Sequence, residues 1–228
     1  MLLTIDDLLA NDEVALVRAL LDRAEWSSGA ATAGTQAVTV KNNRQIAEDA
    51  PLLPELRRIV LAALNRSPMF FTAVLPHRIV PPCFNRYADD ADRYGAHIDN
   101  SMRALPDGSG YVRADVSATL FLSDPADYDG GELHIQDTYG SQRLKLPAGS
   151  LVIYPSGSIH EVTPVTRGER LACYLFLQSA VKDTECRRHL WEMDQALMDL
   201  RRRHGETDPA VVRLTGLYNN LVRRWSEC

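Results

Sequence analysis

Between Phe70 and Gln178 the chain breaks into short apolar runs, each stopped by Gly, Pro, Asn or Asp. Phe70–Leu75, His77–Val80 and Pro81–Tyr87 come first. Val116–Leu122, Glu132–Ile135, Arg143–Leu146, Leu151–Tyr154, a run from Ile159 and Arg170–Gln178 follow. Short strands at regular spacing with turn residues between them close into a barrel or a jelly-roll sandwich. Side chains of a strand alternate between faces, so such a chain can aim polar groups from distant positions into one interior.

Helical patterns flank this region. Residues 4–24 predict an amphipathic helix capped by Thr4, with Leu8, Leu9, Val14, Leu16, Val17, Leu20 and Leu21 on its apolar side. Trp26–Thr39 reads as a loop leading into a short strand, and Leu52–Asn65 as a second helix. Glu185–His204 and Pro209–Trp225 are helical again, with Arg201–Arg203 a solvated helix end. The expected class is mainly β with flanking helices (α+β). The expected divisions are 1–77, helices and strands packing on the core; 78–179, the jelly roll; and 180–228, a C-terminal helical segment.

Composition narrows the partners. A net charge of −5 and a pI of about 5.7 argue against nucleic acid. No apolar run reaches the ~20 residues of a membrane helix. The N-terminus lacks the basic start of a secretory signal, and Cys83, Cys173, Cys186 and Cys228 have no ligand or redox spacing. A reduced, cytoplasmic chain is the expectation.

His97 and Asp99 stand two residues apart, on one side of an extended strand. A nitrogen and an oxygen ligand converging there suit a divalent first-row metal such as Fe(II). His-x-Asp alone is a weak signal, with a polar strand as the other reading. His160, after a Gly/Pro-rich turn, offers a third ligand and completes a 2-His-1-carboxylate set that leaves coordination positions open. His77, His134, His189 and His204 read as structural or surface residues. A three-residue loop at 166–168 with Gly168 left-handed would pair Arg170 with Pro164 and turn Arg170 to the same interior as His160. The two would then stand about 14 Å apart, a gap that a five-carbon dicarboxylate and an arginine side chain largely span.

Several segments together resemble a known family: Phe84-Asn85-Arg86-Tyr87, Tyr94–Asn100, Asp129–Leu133, His160–Arg170 and Gln178–Asp183. Thr32-Ala33-Gly34 and Lys41–Gln45 also fit. The chain resembles the Fe(II)/2-oxoglutarate-dependent dioxygenases, and more closely the bacterial PKHD-type hydroxylases, which are similar to prolyl 4-hydroxylases. The resemblance implies a double-stranded β-helix, iron held by His97, Asp99 and His160, 2-oxoglutarate held by Arg170, and ascorbate as reductant. It implies oxidative decarboxylation of 2-oxoglutarate to succinate and CO2, coupled by O2 to hydroxylation of a small-molecule or peptidyl substrate. Tyr87 falls where relatives carry a tyrosine near 2-oxoglutarate; a barrel aromatic is the other reading. Ala172 departs from wider relatives that place a hydroxyl beside the arginine. The alternative function is a metal-bearing jelly roll that binds or senses without turnover, or one that uses another metal. Asn85, Arg103, Asp115, Thr119 and Gln136 are candidates for the pocket mouth, and the C-terminal helices for covering it or joining a homo-oligomer.

Overall fold

The structure is a computed structural model and describes residues 1–32, 37–137 and 140–227. Ala33 and Gly34 of the N-terminal motif, and Cys228, lie outside the described residues. The first strands are β1 (Leu3–Ile5), β2 (Trp26–Ser28), β3 (Lys41–Asn42), β4 (Arg44–Ile46), β5 (Pro76–Ile79) and β6 (Cys83–Tyr87). Next come β7 (Arg93–His97), β8 (Met102–Ala104), β9 (Tyr111–Arg113), β10 (Val116–Phe121), β11 (Tyr128–Gly130) and β12 (Leu133–Asp137). The last are β13 (Gly140–Leu144), β14 (Leu151–Pro155), β15 (Ile159–Val162), β16 (Val165–Gly168) and β17 (Arg170–Ser179). Among the described residues five α-helices flank them: α1 (Asn11–Leu21), α2 (Leu53–Asn65), α3 (Pro68–Val74), α4 (Thr184–His204) and α5 (Pro209–Trp225).

Strand alternation sets the layers. On β17, Leu171, Cys173, Leu175 and Leu177 join a buried cluster with Val14 and Val17 of α1, Leu56 and Val60 of α2, and Phe70 and Val74 of α3. Arg170, Tyr174 and Phe176, on the opposite face, line an interior cleft. β17 belongs to an eight-stranded sheet ordered β1-β14-β10-β17-β6-β4-β2, with β5 also paired to β17. A five-stranded sheet, β13-β12-β15-β7-β3, faces it. Between the sheets, Tyr87, Phe121, Val152 and Tyr154 of the first pack with Leu133, Ile135 and Val162 of the second. Each fully buried aliphatic or aromatic side chain in these layers contributes about 1.5–3 kcal/mol. The result is a jelly roll whose larger sheet is backed by helices and whose smaller sheet closes the cleft. The N-terminal segment is woven into both sheets through β1, β2 and β4 on one and β3 on the other.

Three sequence expectations need correction. Residues 4–24 are not one helix: Leu3–Ile5 pair with Leu151–Ile153 as a sheet edge, and α1 starts only at Asn11. Asp7 takes a left-handed turn (φ 50°), so Leu8 and Leu9 fill the core from a loop. Glu13, not Thr4, marks the helix start by accepting the Ala10 backbone N–H at 2.9 Å. Phe70–Val74 lie in α3, with Leu75 its left-handed cap, rather than in a strand. Ser67 accepts the Phe70 N–H, Pro68 occupies the first turn, and Phe70, Ala73 and Val74 present the buried i, i+3, i+4 face of a helix. Finally, residues 166–168 do not form a tight loop that returns the chain onto β15. β16 instead crosses to pair with β11, and Arg170 enters the larger sheet opposite Tyr87, not opposite Pro164. Gly168 is left-handed (φ 73°) as expected. Its reason is a close approach: a Cβ there would lie 2.0 Å from the Asp127 carbonyl oxygen.

Candidate active site

β7 and β15 are neighbours, and His97 stands directly opposite His160. The register then slips: Val162 faces Tyr94, so two residues of β7 (Gly95 and Ala96) oppose the single Glu161 of β15. This bulge changes parity, since positions 94 and 97 would point to opposite faces of a regular strand. Both instead face inward, and their rings stack with centroids 3.6 Å apart. Asp99 follows the end of β7 rather than lying on the strand. It nevertheless reaches the same place. Its Oδ1 lies 3.8 Å from His97 Nε2 and its Oδ2 3.6 Å from His160 Nε2. One donor atom from each of the three falls within 4.8 Å of the others, and both histidines are buried.

The far side of each ligand is held. His97 Nδ1 lies 2.8 Å from the Gly95 carbonyl oxygen and His160 Nδ1 lies 3.0 Å from that of Ser158. A carbonyl only accepts, so both Nδ1 atoms carry the proton and both Nε2 lone pairs face the centre. Ser117 donates to Asp99 Oδ2 at 2.6 Å and is itself 2.8 Å from Ser156 Oγ. Tyr154 meets His160 edge-on at 5.1 Å. Burial, reinforced by neighbouring His160, pulls His97 down to about 4, so it is neutral near pH 7. Two imidazole nitrogens and one carboxyl group form a donor set suited to a divalent first-row metal.

Arg170 is 1% exposed, and neither its Nε nor its Nη2 has a hydrogen-bond partner among the described residues. Its guanidinium lies 5.2 Å from the Tyr87 ring and 5.3 Å from the Phe121 ring. Among the described residues, Tyr128 Oη, Asn85 Oδ1 and both amide atoms of Asn43 are also buried without a hydrogen-bond partner. Buried polar groups are almost always paired, and an unpaired buried cation is the costliest exception. Arg170, Asn43 and Asn85 line one cleft, and orphaned groups gathered there fit a polar, anionic ligand. The cleft has a volume of about 600 Å³ including space open to solvent, and Arg170, Tyr87, His97, Asp99, His160, Lys41, Arg103 and Phe176 are among the residues that line it.

Of the mouth candidates, Asn85, Arg103 and Thr119 line the cleft. Asp115 does not: it accepts from Arg113 at 2.7 Å and from the Ser179 N–H at 2.9 Å. Gln136 is exposed, paired opposite Ile159. His134 bonds Glu161 at 2.9 Å on the outer face of the smaller sheet. Lys41, Tyr94, Ser117 and Tyr128 escaped the sequence reading. Lys41 and Tyr94 sit in segments that carry the family resemblance; Ser117 and Tyr128 had no signal of their own.

Residues 82–178 match the model of the 2OG-Fe(II) oxygenase superfamily, and residues 184–227 that of the PKHD-type hydroxylase C-terminal domain. Over the whole of both chains the sequence is 63% identical to a PKHD-type hydroxylase of Nitrosomonas europaea. The chain belongs to the PKHD-type hydroxylases. A PKHD-type hydroxylase of Azoarcus is 58% identical, again over the full length of both. Among solved structures, a prolyl-4-hydroxylase of Pseudomonas putida superposes with a TM-score of 0.53 at 24% identity, covering 78% of this chain and 92% of that one. That likeness establishes the shared jelly-roll fold. As a PKHD-type hydroxylase the chain is an Fe(II)- and 2-oxoglutarate-dependent dioxygenase that acts with O2 on a small-molecule or peptide substrate.

Proposed function

We propose that His97, Asp99 and His160 hold Fe(II), and that Arg170, with Tyr87 beside it, binds the distal carboxylate of 2-oxoglutarate. The buried, unpaired guanidinium of Arg170 carries this reading. A carboxylate accepting from Nε and Nη2 would satisfy both donors in one bidentate contact. Asn85 in the cleft, and Tyr128 beside Arg170, supply the polar neighbours that Ala172 does not. Iron, when bound, supplies the oxidation that couples decarboxylation of 2-oxoglutarate to hydroxylation. The chain's own contribution is position. Gly95 and Ser158 carbonyls fix the imidazoles, Ser117 fixes Asp99, and the aromatic walls of Tyr87, Tyr94 and Tyr154 exclude water.

Ascorbate as the reductant that keeps iron ferrous belongs to the same proposal, supported by family membership. A prolyl or other amino-acid-like substrate is the favoured class. The division into 1–77, 78–179 and 180–228 is supported by family matches at 82–178 and 184–227. A cytoplasmic location is supported by the free thiols of Cys83, Cys173 and Cys186. Among the described residues no helix is long and apolar enough to cross a membrane, and no membrane or nucleic-acid partner is proposed. A homo-oligomer through the C-terminal helices is supported by Val212, Leu214 and Leu217, exposed on α5.

Anaerobic reconstitution with Fe(II) and 2-oxoglutarate tests the proposal, followed by O2 and a panel of peptides and metabolites while succinate is measured. Substrate-stimulated succinate is the expected result. Iron and 2-oxoglutarate bound without succinate under any condition would favour the sensing module instead.

A further inference from the structure

Asn43 is the residue between β3, on the smaller sheet, and β4, on the larger, so the chain crosses from one sheet to the other at this point. Its neighbours are fastened to the connection between β6 and β7. Asn42 Nδ2 donates to the Asp90 carbonyl at 2.6 Å and to Asp92 at 3.1 Å, and Arg44 pairs with Asp90 at 2.9 Å. The Asn43 carbonyl accepts the Gly29 N–H at 2.9 Å. Its side chain turns inward instead. It is 4% exposed and lines the cleft, and neither amide atom has a hydrogen-bond partner among the described residues. A Cβ at Gly29 would collide with Asn43 Oδ1, so the glycine leaves room for this amide. Register places it. Arg44 pairs with Arg86, and Tyr87 with Arg170, so one step further along sets Asn43 beside Tyr87, in a row Asn43–Tyr87–Arg170 across three strands. Neighbouring strands lie about 4.8 Å apart, which puts the two outer backbones about 10 Å from each other. Burial raises the Tyr87 phenol, and both Arg170 and Asn43 act against that rise, as neighbours on its two sides should.

We infer that Asn43 is a further co-substrate-binding residue, donating its side-chain N–H to the distal carboxylate of 2-oxoglutarate. This inference rests on the assignment of that carboxylate to Arg170. A carboxylate offers about four lone-pair sites, and Arg170 Nε and Nη2 take two of them. An amide across Tyr87 reaches the carboxylate from the opposite side, and its buried donor gains the partner it lacks. Such a donor favours the carboxylate without adding a second buried charge. Asn43 lies outside residues 82–178, the part that matches the oxygenase model, so the N-terminal segment supplies one wall of the co-substrate pocket.

The test compares 2-oxoglutarate with 2-oxovalerate, which keeps the same chain and 2-oxo acid head but carries a methyl group in place of the distal carboxylate. Calorimetric titrations of the Mn(II)-loaded protein under argon give both affinities without turnover. Asn43→Ala and Asn43→Leu, one leaving space and the other filling it, are each expected to weaken 2-oxoglutarate about tenfold or more. Affinity for 2-oxovalerate and for the metal should not change. Gly29→Ala keeps the amide but displaces it, and should weaken 2-oxoglutarate in the same selective way. The unfolding midpoint of each variant checks that it is folded. Unchanged 2-oxoglutarate affinity in both Asn43 variants, a loss in the Leu variant alone, or a parallel loss of 2-oxovalerate would overturn the inference. A wild-type protein that binds the two oxo acids equally would instead sink the Arg170 assignment, and this inference with it.

Discussion

At the scale of single residues, Arg170 concentrates a conflict between stability and binding. Two nitrogens without a hydrogen-bond partner among the described residues, on a side chain 1% exposed, leave a desolvated cation compensated mainly by the Tyr87 and Phe121 rings. Replacing such a cation by an apolar chain of similar volume is often stabilising. Arg170→Met is therefore expected to raise the stability of the unloaded protein by about 1–3 kcal/mol and to weaken 2-oxoglutarate binding about a hundredfold. Metal affinity should change little. Denaturant unfolding and a 2-oxoglutarate titration check both, and a destabilised unloaded variant would show that Arg170 has an unnoticed structural partner. His97 makes a second prediction, for the metal-free chain. Its ordinary value of 6.5 falls to about 4 in the fold, so the unfolded chain takes up a proton first as pH drops. The stability due to neutral His97 is complete above about pH 6.5 and is lost progressively towards pH 4, a total on the order of 3 kcal/mol. Denaturation midpoints between pH 7.5 and 4.5 should fall less steeply in His97→Gln, and equal slopes would assign the loss to other groups. That His97, Asp99 and His160 converge, and that Arg170 lines the same cleft, was legible in the sequence by residue type. Lys41, Ser117 and Tyr128 were not, because a lysine, a serine or a tyrosine gains its role only from the neighbours that folding gives it.

At the scale of elements, the site depends on places where regular strand geometry is broken. The β7 bulge brings Tyr94 and His97 to one side, something period-2 reading of the sequence forbids. The crossing of β16 to β11 was equally hidden: Gly168 signalled a left-handed turn without saying which strand lay beyond it. The same pair of strands leads to Gly131, also left-handed at φ 63°. A Cβ there would lie 2.8 Å from Val165 Cγ2, 2.9 Å from Tyr128 Cε2 and 3.0 Å from Arg170 Cδ. Gly131→Ala is expected to cost about 1–3 kcal/mol of stability. It should weaken 2-oxoglutarate binding more than metal binding, because the intruding methyl displaces the arginine and not the histidines. Parallel titrations with metal and co-substrate decide it; equal loss of both would mean the whole barrel had shifted. The outer elements were misread for a plainer reason. Phe70, Ala73 and Val74 satisfy both a helical and a β-rich reading, and the Ser67-Pro68 start settles the choice.

Over the whole molecule, the C-terminal helices are packed onto the rest of the fold. Leu190 of α4 is buried with Leu75 and Val181, and Tyr218, Leu221, Val222 and Trp225 of α5 pack against that cluster. The chain end then returns to the barrel, where the Glu227 N–H donates to the Ala180 carbonyl at 2.7 Å and its carboxylate lies 3.6 Å from Arg113 at the foot of the β8–β9 hairpin. Leu190→Ala is expected to lower stability by about 2–5 kcal/mol with 2-oxoglutarate affinity unchanged. A matching loss of affinity would show that the helices also shape the inner pocket. The jelly roll was legible from the spacing of its strands, whereas the weaving of β1 and β3 into opposite sheets was not, since edges of two or three residues leave almost no pattern. One consequence of the orphaned guanidinium extends beyond catalysis. A ligand that binds only the folded chain adds about 1.4 kcal/mol for every tenfold excess over its dissociation constant, and here that ligand is a metabolite. Proteases cut the opened chain, so its survival time should lengthen as 2-oxoglutarate rises. The abundance of this hydroxylase would then follow the nutritional state of the cell without any change in its synthesis.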